Sequence, residues 1–286
     1  MVTEQTIADG VRALGLDGSS AVVVHSSLKS FGQVQGGAPA VCRALTAACG
    51  TVLMPAFSWD RTRVPAPPGL ERPHNAVGVA SSWEEFDAAL ARALPFTEDL
   101  PIDRGIGLVP ETLRRRFPHR RSRHPLLSFL ATGRYADELA EAQRLDWPLG
   151  PIEALARRGG DVLLLGVGHT ANTAIHLAEQ RLGRARFYRY AKANHGVWME
   201  LPNIPGCSES FGEIEPALAS ATHEVMIGSC RARRIALSTV LQAAERLILT
   251  DPTALLCGGG NCRCPAALQQ RLAWLAAQPR RSGSDR

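Results

Sequence analysis

DVLLLGVGHTANTAIHLAE, residues 161–179, decides how this chain is read. Val162–Leu165 is an unbroken apolar run, the pattern of a strand buried on both faces, and Gly166 and Gly168 follow it as a turn. From Thr170 to Leu182 apolar residues recur at helical spacing, with Thr170 or Asn172 as candidate N-cap. Strand, glycine turn and helix in that order place the chain among α/β proteins. They also leave two chemistries open: a turn that cradles a dinucleotide, or a helix that carries a catalytic histidine.

Outward from this stretch the alternation recurs. EQTIADGVRALGL (4–16) has helical spacing, and AVVVHSS (21–27) is a strand ending in polar residues, where α/β sheets place their ligands. GGAPAVCRALTAAC (36–49) reads as a helix and GTVLMPAF (50–57) as a strand stopped by Pro55. Residues 61–96 are rich in Pro, Gly and Arg and read as an insert or lid, with one helix in WEEFDAALARAL (83–94). DRGIGLVPETLRRR (103–116) is a turn feeding a helix, with Pro110 near its first turn. FYRYAKA (187–193) and GVWMELP (196–202) read as an antiparallel ribbon, and helical spacing returns in RRIALSTVLQAAERLI (233–248). The expectation is a single domain over 1–276, with 186–264 as a minor subdomain and 277–286 as a disordered tail.

With 286 residues, 45% hydrophobic and 21% charged, the chain can bury a sizeable core. No apolar run is long enough for a membrane span and no export signal is legible at the start, so the chain reads as cytoplasmic, with no membrane partner. The net charge of +5 raises nucleic acid as a partner. Only RRRFPHRRSRH (114–124) concentrates the charge, and no aromatic-interleaved binding motif accompanies it, so the expectation is no nucleic acid.

Gly166, Gly168 and Ala171 fit G-x-G-x-x-A, but the acid expected about 20 residues on, after a second strand, is missing from LGRARFYRYA (182–191). An NAD(P)-dependent oxidoreductase stays as the rival in chemistry, and a nucleic-acid-binding protein as the non-enzymatic rival. His176 and Glu179 stand three apart on one helix face, where a carboxylate can accept the imidazole N–H and leave the other nitrogen as a base. His169 has no such acid partner.

Six stretches in order, VVVHSSLKSFGQVQGG (22–37), GTVLMPAFS (50–58), DRGIGLVPE (103–111), RSRHPLLSFLATG (121–133), GPI (150–152) and the opening one, together resemble the antibiotic N-acetyltransferase family typified by aminoglycoside 3-N-acetyltransferases. The likeness runs from about Ser20 to Glu179, with weaker echoes to Leu272. It implies an α/β fold with a central mixed sheet flanked by helices, distinct from the GNAT fold, and acetyl transfer from acetyl-CoA to an amine. By motif match His176 is the general base and Glu179 its orienting acid. Ser26, Ser27, Lys29 and Ser30 match the cofactor loop, and Arg121, Ser122 and His124 a second motif beside it. The acceptor implied is an aminoglycoside, modified at its 3-amino group; the alternative is another amine of natural-product metabolism or self-protection.

An aminoglycoside is a polycation, so its site calls for carboxylates. Asp60, Asp103 and Glu200 are the candidates, with Glu209 behind them. The segment WMELPNIPGCSES (198–210) departs from the family by carrying only Glu200 and Glu209 where many members carry several acids. Cys257, Cys262 and Cys264 cluster, and Cys207 could complete a structural zinc site. The spacing is not a pair of C-x-x-C knuckles, and reduced thiols are the preferred reading.

Overall fold

Val22–Val24, apolar at every position, become the centre of a seven-stranded sheet. A computed structural model describes residues 1–75, 78–259 and 262–277; the expected tail, from residue 278 on, lies outside them. In chain order the elements are α1 (Glu4–Ala13), β1 (Ala21–Ser26), α2 (Gly37–Ala48), β2 (Thr51–Pro55), α3 (Trp59–Thr62), β3 (Arg63–Val64), α4 (Trp83–Arg92), α5 (Leu108–Arg116), β4 (Arg120–Arg121), β5 (Phe129–Gly133), α6 (Ala136–Glu141) and α7 (Gly150–Arg157). There follow β6 (Asp161–Leu165), α8 (Ala174–Arg181), β7 (Phe187–Lys192), β8 (Trp198–Ile204), α9 (Glu215–Leu218), β9 (His223–Ile227), β10 (Cys230–Ala236), α10 (Leu237–Thr250) and α11 (Cys264–Ala277).

The sheet runs β4-β5-β2-β1-β6-β10-β9. β1 pairs in parallel with β2 and β6, in the register Val22↔Val52 and Val24↔Leu163, and the outer strands are antiparallel. Alternation divides the core. Val22, Val24, Leu163 and Leu165 pack with Ile7, Val41 and Leu113 of α1, α2 and α5. Val23, Val162 and Leu164 pack with Leu155, Leu177 and Val240 of α7, α8 and α10. Helices therefore cover both faces, which is why the three parallel strands carry near-continuous apolar runs. The mixed sheet flanked by helices is the architecture the family likeness implied.

Two expectations need correction. RRIA at the start of 233–248 is strand, because β10 alternates buried Cys230 and Ala232 with exposed Arg231 and pairs with both β6 and β9; the helix begins at Leu237. Thr170 is not the cap of α8: His169–Ala171 form a 3-10 turn, the helix starts at Ala174, and the Asn172 Oδ1 accepts from the Ala174 N–H at 3.3 Å. Residues 61–96, read as an insert or lid, contribute to a second sheet: β3 joins β7 and β8, and Phe86 of α4 stacks edge-on against Trp198 of β8. The 186–264 segment correspondingly divides, with β7 and β8 in the small sheet and β9, β10 and α10 in the main body.

Among the described residues no helix is long and apolar enough to cross a membrane. The arginines of 114–124 do not make one basic face. Arg114 pairs with Glu111, Arg120 with Asp137 and Arg123 with Glu98, while Arg121 is buried.

Candidate active site

β1, β2 and β6 end on one edge of the sheet, and the segments that follow them surround a cleft of about 310 Å³. His25 and Ser26 close it from β1, Phe57 and Trp59 from beyond β2, and Thr170–Thr173 and His176 from beyond β6. The opposite wall belongs to the small sheet: Arg189 of β7, then Ile204, Pro205, Gly206 and Ser208 at and after the end of β8. A cleft at the carboxyl ends of parallel strands is the usual ligand position in an open α/β sheet.

His176 and Glu179 meet as their spacing predicts, with Nδ1 of His176 2.8 Å from Oε2 of Glu179. The pair commits Nδ1 and leaves Nε2 as the second ring nitrogen of a side chain that lines the cleft. The Phe211 ring, 4.7 Å away centroid to centroid, packs against the imidazole. Glu179 is 1% exposed, and a carboxylate so buried requires a partner. Its other oxygen takes the Arg184 guanidinium, with Nε at 3.1 Å and a second nitrogen at 2.9 Å. Arg184 in turn donates to the carbonyls of Pro252 and Ala254.

This third member was missed in the sequence, although a signal was there. α8 ends in a Schellman turn: Gly183 adopts φ +75°, its N–H donates to the Gln180 carbonyl, and the Arg184 N–H donates back to the Glu179 carbonyl. That six-to-one bond sets Arg184 beside Glu179. A Cβ on Gly183 would also lie 2.3 Å from the Trp274 ring, so α11 depends on the same glycine.

The first glycine of the opening stretch has a packing reason. A Cβ on Gly166 would fall 1.8 Å from the Ser30 Oγ, so this glycine lets the β1 loop cross the β6 loop. After α8 the chain passes to β7, antiparallel in the other sheet, and β6 gains antiparallel β10 as its neighbour. The βαβ unit that a dinucleotide site needs is therefore not built from this turn.

The structure sorts the remaining sequence candidates. Of Ser26, Ser27, Lys29 and Ser30, Ser26 alone lines the cleft; Ser30 donates to the Ser27 carbonyl and Lys29 is exposed. Arg121, Ser122 and His124 lie behind it as framework. Arg121 spends its donors on Ser128 and on the carbonyls of Glu98, Leu100 and Ala56, Ser122 accepts from the Phe129 N–H, and His124 Nδ1 accepts from the N–H groups of Leu126 and Leu127. These bonds use four of the five N–H donors of Arg121, whose side chain is buried. His169, 2% exposed, packs against Asn172 and is also structural. Burial pushes His25 and His169 down to about 4 and His124 to about 3.

The three acids expected around a cationic acceptor are not in the cleft. Asp60 pairs with Arg63 at 3.0 Å, and Glu200 with Arg72 at 3.2 Å. Asp103 is 4% exposed, accepts from the Asp60 N–H, and is pushed up to about 6 by burial. Among the described residues that line the cleft, none is Asp or Glu. Arg189 faces it instead, over the Trp59 ring at 5.1 Å, with its Nε buried and unpartnered. Burial lowers Arg189 to about 10, still charged at neutral pH. Cys207, Cys257, Cys262 and Cys264 do come together, on the outer side of the β8 wall.

A histidine oriented by a buried carboxylate, at the carboxyl edge of a mixed sheet, defines an α/β enzyme equipped for proton transfer. The chain belongs to the aminoglycoside 3-N-acetyltransferase family, whose sequence profile matches residues 23–248. It is 29% identical over 272 residues to the SPbeta prophage-derived aminoglycoside N(3')-acetyltransferase-like protein YokD of Bacillus subtilis (strain 168), covering 87% of this chain and 93% of that one. The YokD crystal structure superposes with a TM-score of 0.77 over 88% of this chain and 95% of that chain. Aminoglycoside N(3)-acetyltransferase III of Salmonella sp is 36% identical over 184 residues, which is 63% of this chain and 60% of the relative's length. A mutant of aminoglycoside acetyltransferase AAC(3)-IVa, solved in complex with a gentamicin, superposes with a TM-score of 0.74 at 25% identity, over 94% of this chain and 98% of that chain.

Proposed function

We propose that this protein is an acetyl-CoA-dependent N-acetyltransferase that acylates an amino group of an aminoglycoside, the 3-amino group by family likeness. The observation that carries the reading is the His176–Glu179–Arg184 chain at the cleft edge, in a member of this family. An amine attacks a thioester only as the neutral base, so a proton must leave it before or during attack. His176 Nε2 is the atom to accept it. Glu179 accepts from Nδ1–H and stabilises the imidazolium that forms, and Arg184 holds that carboxylate in place. Acetyl-CoA would supply the thioester carbonyl; as the amide C–N bond forms the C–S bond breaks, and CoA leaves as the thiol with the proton from the imidazolium. The residues fit such a ligand: Ser26 offers a hydroxyl, and the guanidinium of Arg189, which lines the cleft, offers charged donors for a phosphate or amide oxygen. We take the transfer as direct from thioester to amine, without an acyl-cysteine: no cysteine lines the cleft among the described residues.

A second reading of the acceptor rests on the missing carboxylates. A cleft lined by Arg189 and by no acid favours an amine of low positive charge, in natural-product metabolism or self-protection, over a polycation. Thiol release from acetyl-CoA, measured against aminoglycosides and against neutral or anionic amines, decides between them. Turnover with an aminoglycoside supports the first reading and turnover only with the others supports the second. Failure to bind acetyl-CoA would reject both.

A further inference from the structure

Outside the cleft, one cluster of side chains has the composition and spacing of a metal site. Cys207 follows β8, whereas Cys257, Cys262 and Cys264 lie between α10 and the start of α11. The fold closes a gap of fifty residues to bring Cys207 within 3.6 Å of Cys257, sulfur to sulfur. Cys257 and Cys264 are 3.5 Å apart, Cys262 and Cys264 3.4 Å, and all four sulfurs lie within 4.8 Å of one another. Among the described residues no other group of three or more His, Cys, Asp or Glu side chains is so convergent.

The distances discriminate between the uses four cysteines can have. A disulfide needs its sulfurs at about 2.05 Å, and none of these pairs approaches that. Four thiolates around zinc, each about 2.3 Å from the ion, stand about 3.8 Å apart along the edges of a tetrahedron. The separations here are close to that edge. Packing as small apolar groups explains Cys42, Cys49 and Cys230, which are buried in the sheet-and-helix core, but not a cluster whose members Cys207, Cys257 and Cys262 are half-exposed. The backbone is also arranged for thiolate: the Glu209 N–H points to the Cys207 sulfur at 3.4 Å. Cys264 opens the fourteen-residue α11, whose N-terminal dipole favours a negative ligand.

We propose that Cys207, Cys257, Cys262 and Cys264 bind one structural Zn²⁺ as four thiolates, with release of the thiol protons. All four positions are filled by protein, so the ion has no open site for chemistry. Its place in the fold gives it a task. Gly206 and Ser208, the neighbours of Cys207, line the cleft. The ion therefore clasps the β8 wall of the cleft to the start of α11. This inference is independent of the reaction assigned to the cleft.

The test is elemental analysis of the full chain purified without chelator, together with the visible spectrum after zinc is exchanged for cobalt. One zinc per chain, and the intense red-region bands of tetrahedral cobalt thiolate, are expected. Cys262→Ser should lower the zinc content well below one per chain while circular dichroism stays native. Chelation of the wild type should lower its Tm and speed hydrogen exchange in residues 205–209. Absence of bound metal with no uptake of added Zn²⁺ or Co²⁺, iron in place of zinc, or full zinc content in Cys262→Ser would overturn the proposal. The cobalt spectrum keeps the test decisive if the variant fails to fold.

Discussion

The two walls of the cleft are built on different principles. The wall at the ends of β1, β2 and β6 stands on buried parallel strands, and its histidine is fixed by partners within eight residues of sequence: His176, Glu179, Arg184. The facing wall is a small antiparallel sheet whose strands come from residues 63–64 and 187–204, continued by a loop that ends in the cysteine cluster. The first wall holds His176, the proposed base, in one geometry. The second presents Arg189 where a polycation would need carboxylates. On the proposed function, the first wall would keep the chemistry while the second sets the acceptor.

Substitutions should separate the two walls. His176→Ala removes the proposed base, and kcat should fall about 10²- to 10⁴-fold with acetyl-CoA affinity nearly intact; retained turnover would place the base elsewhere. Arg184→Met leaves Glu179 buried without its cation, and denaturant unfolding should show a loss of about 3–5 kcal/mol. A smaller loss would mean that the ion pair is not what anchors this wall. Glu179→Gln keeps an acceptor for the Nδ1 proton and should cost roughly 10- to 100-fold in kcat, the range in which partners that orient a histidine act. If only stability changes, the orienting role is wrong.

On the facing wall, Arg189→Ala should raise the KM of one substrate about 10- to 100-fold, as loss of a charge-assisted hydrogen bond does, and leave kcat little changed. A matching fall in kcat would move Arg189 to the reacting atoms. The smallest effect concerns pH. His25, His124 and His169 are held neutral by burial, so the stability they contribute is present above about 6.5 and is lost as pH falls towards their folded values of about 4, 3 and 4. Asp103 acts in the opposite sense: its contribution is full below 3.8 and is lost as pH rises through about 6. Asp103→Asn should therefore steepen the loss of stability between pH 6 and 4, measured as Tm against pH; a flatter profile would contradict the sign.

Much of the first wall was legible because its determinants are local. Apolar runs marked β1, β2 and β6, and a spacing of three set His176 against Glu179 whatever the rest of the chain did. Local pattern failed where pairing overrode it. RRIA has apolar residues compatible with a helix, but a place between β6 and β9 made it strand. Arg121, Ser122 and His124 were expected near the cofactor from the family motif, and only the fold shows their hydrogen bonds largely spent on the backbone.

The sequence by itself determined the α/β class, the strand-turn-helix that carries His176, and the acid beside it, because strand burial and helical phase are set by residues within a few positions of one another. Tertiary structure decided the rest: that Gly166 serves a loop crossing, that Asp60, Asp103 and Glu200 are engaged outside the cleft, that Arg189 enters it, and that Cys207 meets three cysteines some fifty residues away. Each of these depends on which distant segments the packed core brings together, and no local periodicity encodes that.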